Sequence, residues 1–93
     1  MLNVLLVDDE PYVLEGLSTM VDWAAYGFSV RTAANGEDAL DIVKSIDPDL
    51  VITDIKMPCM DGIELIRLSQ KQCHSTAEFI ILSGYDDFSY AQQ

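Results

Sequence analysis

Two acidic stations carry the chemistry this chain can do. Asp54 closes the apolar run Asp49-Leu50-Val51-Ile52-Thr53-Asp54, and the turn sequence Ile55-Lys56-Met57-Pro58-Cys59-Met60-Asp61-Gly62 follows it directly. The second station, Asp8-Asp9-Glu10, closes another apolar run, Asn3-Val4-Leu5-Leu6-Val7. Two strands that each finish in carboxylates can bring three of them to one end of a sheet. Like charges about 4 Å apart repel by roughly 4 kcal/mol per pair at an effective dielectric near 20. A cluster of that kind needs a cation or altered protonation to relieve it. The plainer reading is that Asp54 is a solvated strand end and that Asp8 and Asp9 cap the helix that follows them.

The elements that must position these acids alternate along the chain. Asn3–Val7 is short and apolar on both faces, as a central parallel strand should be. Pro11 suits the first turn of a helix, where its missing N–H costs nothing. Val13, Leu14, Leu17, Met20 and Val21 continue that helix at helical spacing to about Val21. Gly27 punctuates a connection in which Trp23 and Tyr26 read as packing residues. A second strand spans about Phe28–Ala33. Asn35 can cap a second helix, with Glu37 and Asp38 in its first turn and Ala39, Leu40, Val43 and Ile46 on its buried stripe. Asp47-Pro48-Asp49 breaks it, and Leu50–Thr53 forms strand three. Asp61 caps helix three, roughly Gly62–Lys71, and Glu78–Leu82 is strand four. A turn at Ser83-Gly84 precedes a helix starting near Asp87 or Phe88. Gly62 and Gly84 read as backbone-geometry residues.

The order βαβαβαβ(α) calls for an α/β fold, a doubly wound parallel sheet with right-handed crossovers. Ligands of such sheets bind beyond the carboxyl ends of the strands, where strand order reverses. Asp8, Asp9, Asp54 and Ser83 all fall at strand ends.

Composition narrows the function further. With 93 residues the chain is one domain, 1–93, and 49% hydrophobic content is enough to form a core. Sixteen acidic against five basic side chains give a net charge of −11. That balance argues against direct nucleic-acid binding, which needs a basic footprint. Cys59 and Cys73 lack metal-ligand spacing and read as reduced thiols, and His74 reads as an exposed loop residue. No apolar stretch is long enough to span a membrane, and no signal peptide begins the chain, so the cytoplasm is the expected location.

Four motifs now combine. Val7-Asp8-Asp9-Glu10-Pro11, Thr53-Asp54-Ile55-Lys56-Met57-Pro58, Met60-Asp61-Gly62 and Leu82-Ser83-Gly84-Tyr85 resemble, in order and spacing, the receiver domain of two-component response regulators. Val21-Asp22-Trp23, Tyr26-Gly27-Phe28 and Ser83 to Phe88 are similar to the subgroup whose receivers precede an AraC-type DNA-binding output domain. The resemblance implies a flavodoxin-like receiver fold with strand order 2-1-3-4. It implies that Asp54 accepts a phosphoryl group from the phosphohistidine of a sensor histidine kinase. Asp9 and Asp54 would ligate Mg2+ directly, Asp8 through a water, and Lys56 through its backbone carbonyl; the all-oxygen donor set suits this hard cation. Ser83 would hydrogen-bond a phosphoryl oxygen and act as the switch.

A complete receiver resembles five strands and five helices, so a fifth strand and helix are missing from the pattern here, with the phosphoryl-contacting lysine and aromatic switch residue they carry. Strand four then becomes an apolar edge, Phe79-Ile80-Ile81-Leu82, which favours low stability, a homodimer or edge-paired oligomers. DNA would be reached only through an output domain outside these residues, and no membrane contact is expected. Two rivals stand beside the receiver. A haloacid dehalogenase-type hydrolase would want an acid two positions after Asp54, where Lys56 stands. A phosphorylation-independent interaction or dimerisation module needs no such acid.

Overall fold

The computed structural model describes residues 2–82. Four strands, β1 (Leu2–Val7), β2 (Phe28–Ala33), β3 (Leu50–Asp54) and β4 (Glu78–Leu82), form one parallel sheet in the order β2-β1-β3-β4. Three helices, α1 (Pro11–Met20), α2 (Gly36–Ile46) and α3 (Gly62–Gln72), alternate with them, and a 3₁₀ turn covers Trp23–Tyr26. The strand order and the α/β doubly wound class agree with expectation. The anticipated helix near Asp87 or Phe88 lies outside the described residues.

The core explains why β1 is central. Val4, Leu5, Leu6 and Val7 are all buried, and their alternation sends them to opposite faces of the sheet. Leu5 and Val7 pack with Ala39, Leu40 and Val43 of α2 and Leu65 of α3, while Val4 and Leu6 meet Ile52, Leu14 and Leu17 on the α1 side. Full burial of a leucine stabilises by about 1.5–3 kcal/mol, so this strand anchors both layers. The two layers are unequal: α1 has no fully buried residue, whereas α2 buries Gly36, Ala39, Leu40 and Val43.

Element ends differ from the sequence reading by one residue at several points. β1 begins at Leu2, which is in register with Phe28, and β3 runs through Asp54, which is in register with Leu82. α1 stops at Met20 because Val21 turns extended, at φ −114° and ψ 133°. α3 gains Gln72 before Cys73 caps it. The two expected caps form: Asn35 Oδ1 accepts from the Asp38 N–H at 2.7 Å, and Asp61 Oδ1 accepts from the Glu64 N–H at 2.8 Å. Trp23 packs as expected, edge-on to Phe28 at 6.0 Å, with its indole N–H donated to the Leu17 carbonyl. Tyr26 does not: it is 73% exposed at the end of the 3₁₀ turn.

Candidate metal and phosphoryl site

Register places the acids. β1 and β3 are adjacent, with Val7 opposite Thr53, so Asp8 and Asp54 leave neighbouring strands at the same edge of the sheet. The result is a cluster in which Asp8, Asp9 and Asp54 each offer a carboxylate oxygen, all within 4.8 Å of one another. Asp8 is buried, Asp54 half-buried and Asp9 exposed, so the cluster opens to solvent on the Asp9 side.

Asp8 is held from both ends. Its N–H donates to the Ala33 carbonyl at 3.2 Å, and its Oδ1 accepts from the Glu10 N–H at 2.9 Å. Burial pushes its carboxyl above the usual aspartate value, and the nearby Asp9 and Glu10 charges push the same way; the Glu10 N–H offsets part of this. The fold thus disfavours the charged form of Asp8, a cost that a cation beside it would offset. The capping alternative fails for Asp9: the N-cap of α1 is Glu10, and no side chain caps that helix.

The loop from Ile55 to Asp61 returns the chain from β3 to α3 directly over this edge. Ile55 and Met57 are buried, which fixes exposed Lys56 between two core anchors. The Gly62 N–H donates to the Ile55 carbonyl at 2.8 Å and closes the loop. A Cβ at Gly62 would collide with the Asp54 carbonyl, so this glycine answers a close approach of backbone to backbone. Cys59 adopts φ 70° at the loop's crown. A cleft of ≈ 240 Å³ beside the cluster is lined by Asp9, Asn35, Asp38, Pro58 and Cys59 among others. Asp8, Asp9, Asp54 and Gly62 thus meet at the site, and Lys56 lies in its loop. Ser83 and Gly84 lie outside the described residues. Sequence reasoning passed over buried Gly36, whose one available signal was a glycine in the first turn of a helix that needs none.

A parallel β2-β1-β3-β4 sheet with an oxygen-only cluster at its carboxyl end is a flavodoxin-like α/β domain with a candidate site for a divalent cation. The family described as response regulator receiver domain matches residues 4–93, and the chain belongs to it. It is 39% identical over 94 residues to the uncharacterized transcriptional regulatory protein YesN of Bacillus subtilis (strain 168), covering 100% of this chain and 25% of that protein. It is 41% identical over 91 residues to the transcriptional regulatory protein HptR of Staphylococcus aureus (strain NCTC 8325 / PS 47), covering 97% of this chain and 35% of the relative. The chain therefore spans between a quarter and about a third of the length of these relatives.

Among solved structures it resembles the receiver domain of AraT, a response regulator from Geobacillus stearothermophilus, with a TM-score of 0.88 at 35% identity over 98% of this chain and 70% of that one. A two component transcriptional regulator AraC from Clostridium phytofermentans ISDg gives a TM-score of 0.85 at 35% identity, covering 100% of this chain and 75% of its own. These findings favour the receiver over the phosphorylation-independent module.

Proposed function

We propose that residues 1–93 form the phosphoacceptor part of a two-component response regulator, with Asp54 as the residue modified. The observation that carries this reading is the convergence of Asp8, Asp9 and Asp54 oxygens within 4.8 Å. Three hard carboxylate donors, one buried and destabilised as an anion, fit Mg2+. Asp9 and Asp54 would hold the ion directly, with Asp8 acting through a water and Lys56 through its backbone carbonyl. When bound, the ion offsets charge gathering between the attacking carboxylate and the phosphoryl oxygens.

The chain's own part is attack and positioning. A carboxylate oxygen of Asp54 forms a bond to phosphorus while the phosphorus–nitrogen bond of the donor phosphohistidine breaks. The bond electrons return to the ring nitrogen, and an imidazole protonated on its other nitrogen leaves neutral. Burial of Ile55 and Met57 holds the loop beside Asp54 through this step. Ser83 would then donate its hydroxyl hydrogen to a phosphoryl oxygen and report the change along the chain.

In this reading the donor is a sensor histidine kinase, and the setting is the cytoplasm. DNA is reached only through an output domain of the AraC type, since this acidic segment offers no basic footprint. Among the described residues no helix is long and apolar enough to cross a membrane. The exposed Ile80 and Leu82 lie on one face of β4, and this apolar face supports association with a second copy.

Acetyl phosphate with Mg2+ supplies the test. Intact-mass analysis is expected to show one added phosphoryl group, lost on hydroxylamine treatment and absent from Asp54→Asn. Equal labelling of Asp54→Asn, or continuous turnover of a phosphoester, would contradict the assignment.

A further inference from the structure

Gly36 is buried at the first position of α2, where an ordinary helical backbone has no need of glycine. Its reason lies across the gap. A Cβ built there would stand 2.8 Å from Met60 Cβ, 2.8 Å from the Met60 carbonyl oxygen and 2.9 Å from Met60 Cγ. Real Cβ atoms essentially never approach so closely, and one of the obstructing atoms is backbone, which cannot rotate aside as a side-chain tip can. The start of α2 and the late part of the β3–α3 loop are therefore in direct contact, the Gly36 backbone resting against the Met60 carbonyl and the root of its side chain.

The near end of that loop is anchored by buried Ile55 and Met57, and its far end depends on Met60. Its feet are tied by the Gly62 N–H to Ile55 carbonyl bond at 2.8 Å. Inside it, the Met60 N–H donates to the Pro58 carbonyl at 2.7 Å, which joins Met60 to the crown. Met60 also packs against the buried cluster of Leu5, Val7, Ala39 and Leu65. Moving Met60 outward thus draws on Pro58 and Cys59, which share the cleft with Asp9 and Asn35. The same loop contains Lys56 and leaves directly from Asp54.

From this we propose that Gly36 is a positioning residue for the metal site, acting through Met60 to set how closely the β3–α3 loop rests on the strand ends. The inference rests on the metal-site reading above. Gly36 touches no ligand; it fixes the seat of the loop that includes one proposed ligand and begins at another. Removing groups that orient metal ligands typically weakens affinity about 10–100-fold, and that range sets the scale expected for displacing this loop.

The test is Mg2+ affinity by titration calorimetry on the whole chain, with the folded fraction read by circular dichroism. Gly36→Ala is expected to bind Mg2+ at least about tenfold more weakly than the unsubstituted chain. Leu17→Ala, a cut on the opposite face of the sheet, is the control: it should lower stability and leave affinity unchanged. Met60→Gly empties the same contact and should also weaken binding. The double variant should lose less than the sum of the two single losses, because the lesions share one seat. Unchanged affinity in folded Gly36→Ala, or additive losses in the double variant, would overturn the inference. Should Gly36→Ala fail to fold, Met60→Gly decides alone, and unchanged affinity there has the same force. If the unsubstituted chain itself binds no Mg2+, the metal-site reading fails and takes this inference with it; binding in both chains at equal strength removes only the role of Gly36.

Discussion

Asp8 carries more of the site's physics than its position next to exposed Asp9 suggests. Burial and two neighbouring charges raise its carboxyl's pKa, so the folded chain takes up this proton more readily than the unfolded chain does. The contribution to stability is therefore fully present below the unfolded value of 3.8 and is lost as pH rises through the raised folded value. Asp8→Asn keeps the side-chain oxygen that accepts from Glu10 and removes the charge. In metal-free buffer at pH 7 it should stabilise the chain by on the order of 1 kcal/mol, well below the repulsion of an unscreened pair because Asp9 is solvated. Urea midpoints at pH 7 and pH 4.5 should show that gain shrinking at the lower pH. A destabilised Asp8→Asn would mean that the carboxylate is not under strain.

At the level of elements, most of what positions the site was legible from the chain. Asn35 and Asp61 announced their helices because a short polar side chain before an amphipathic run has one common use, and both form the expected bonds. Val4 to Val7 announced a strand buried on both faces. Tyr26 was not legible, since composition does not say which way a 3₁₀ turn faces. Nor was Gly36, whose constraint comes from Met60, a residue distant in sequence and near only after folding. Ser69 shows the same limit. It is fully buried in α3, and among the described residues its Oγ has no hydrogen-bond partner. An unsatisfied buried hydroxyl costs about 1–3 kcal/mol, and alanine is the better helix former. Ser69→Ala should raise stability by about 1 kcal/mol, read as a higher urea midpoint at an unchanged slope. A lower midpoint would show that the hydroxyl is satisfied in solution.

For the whole molecule, charge and site act on the same quantity. A chain with net charge −11 repels itself, and three of its acids are gathered within 4.8 Å at one sheet edge. Dispersed repulsion is screened by any salt over a Debye length of about 10 Å at 0.1 M. The cluster, being partly buried, is screened far less and answers to a ligand that enters it. The two contributions can therefore be separated. Raising NaCl should stabilise the native chain and an Asp54→Asn variant by similar amounts. Mg2+ at constant ionic strength should stabilise only the native chain, by about 2.7 kcal/mol when its concentration reaches 100 times the dissociation constant. Ca2+ should act in the same direction, since its oxygen-ligand preference is shared, whereas added Na+ at matched ionic strength should not. Thermal melts across this series measure both effects in one protein. A Mg2+ effect of equal size in Asp54→Asn would mean that the ion works only as a screening salt, and that the three carboxylates do not share it.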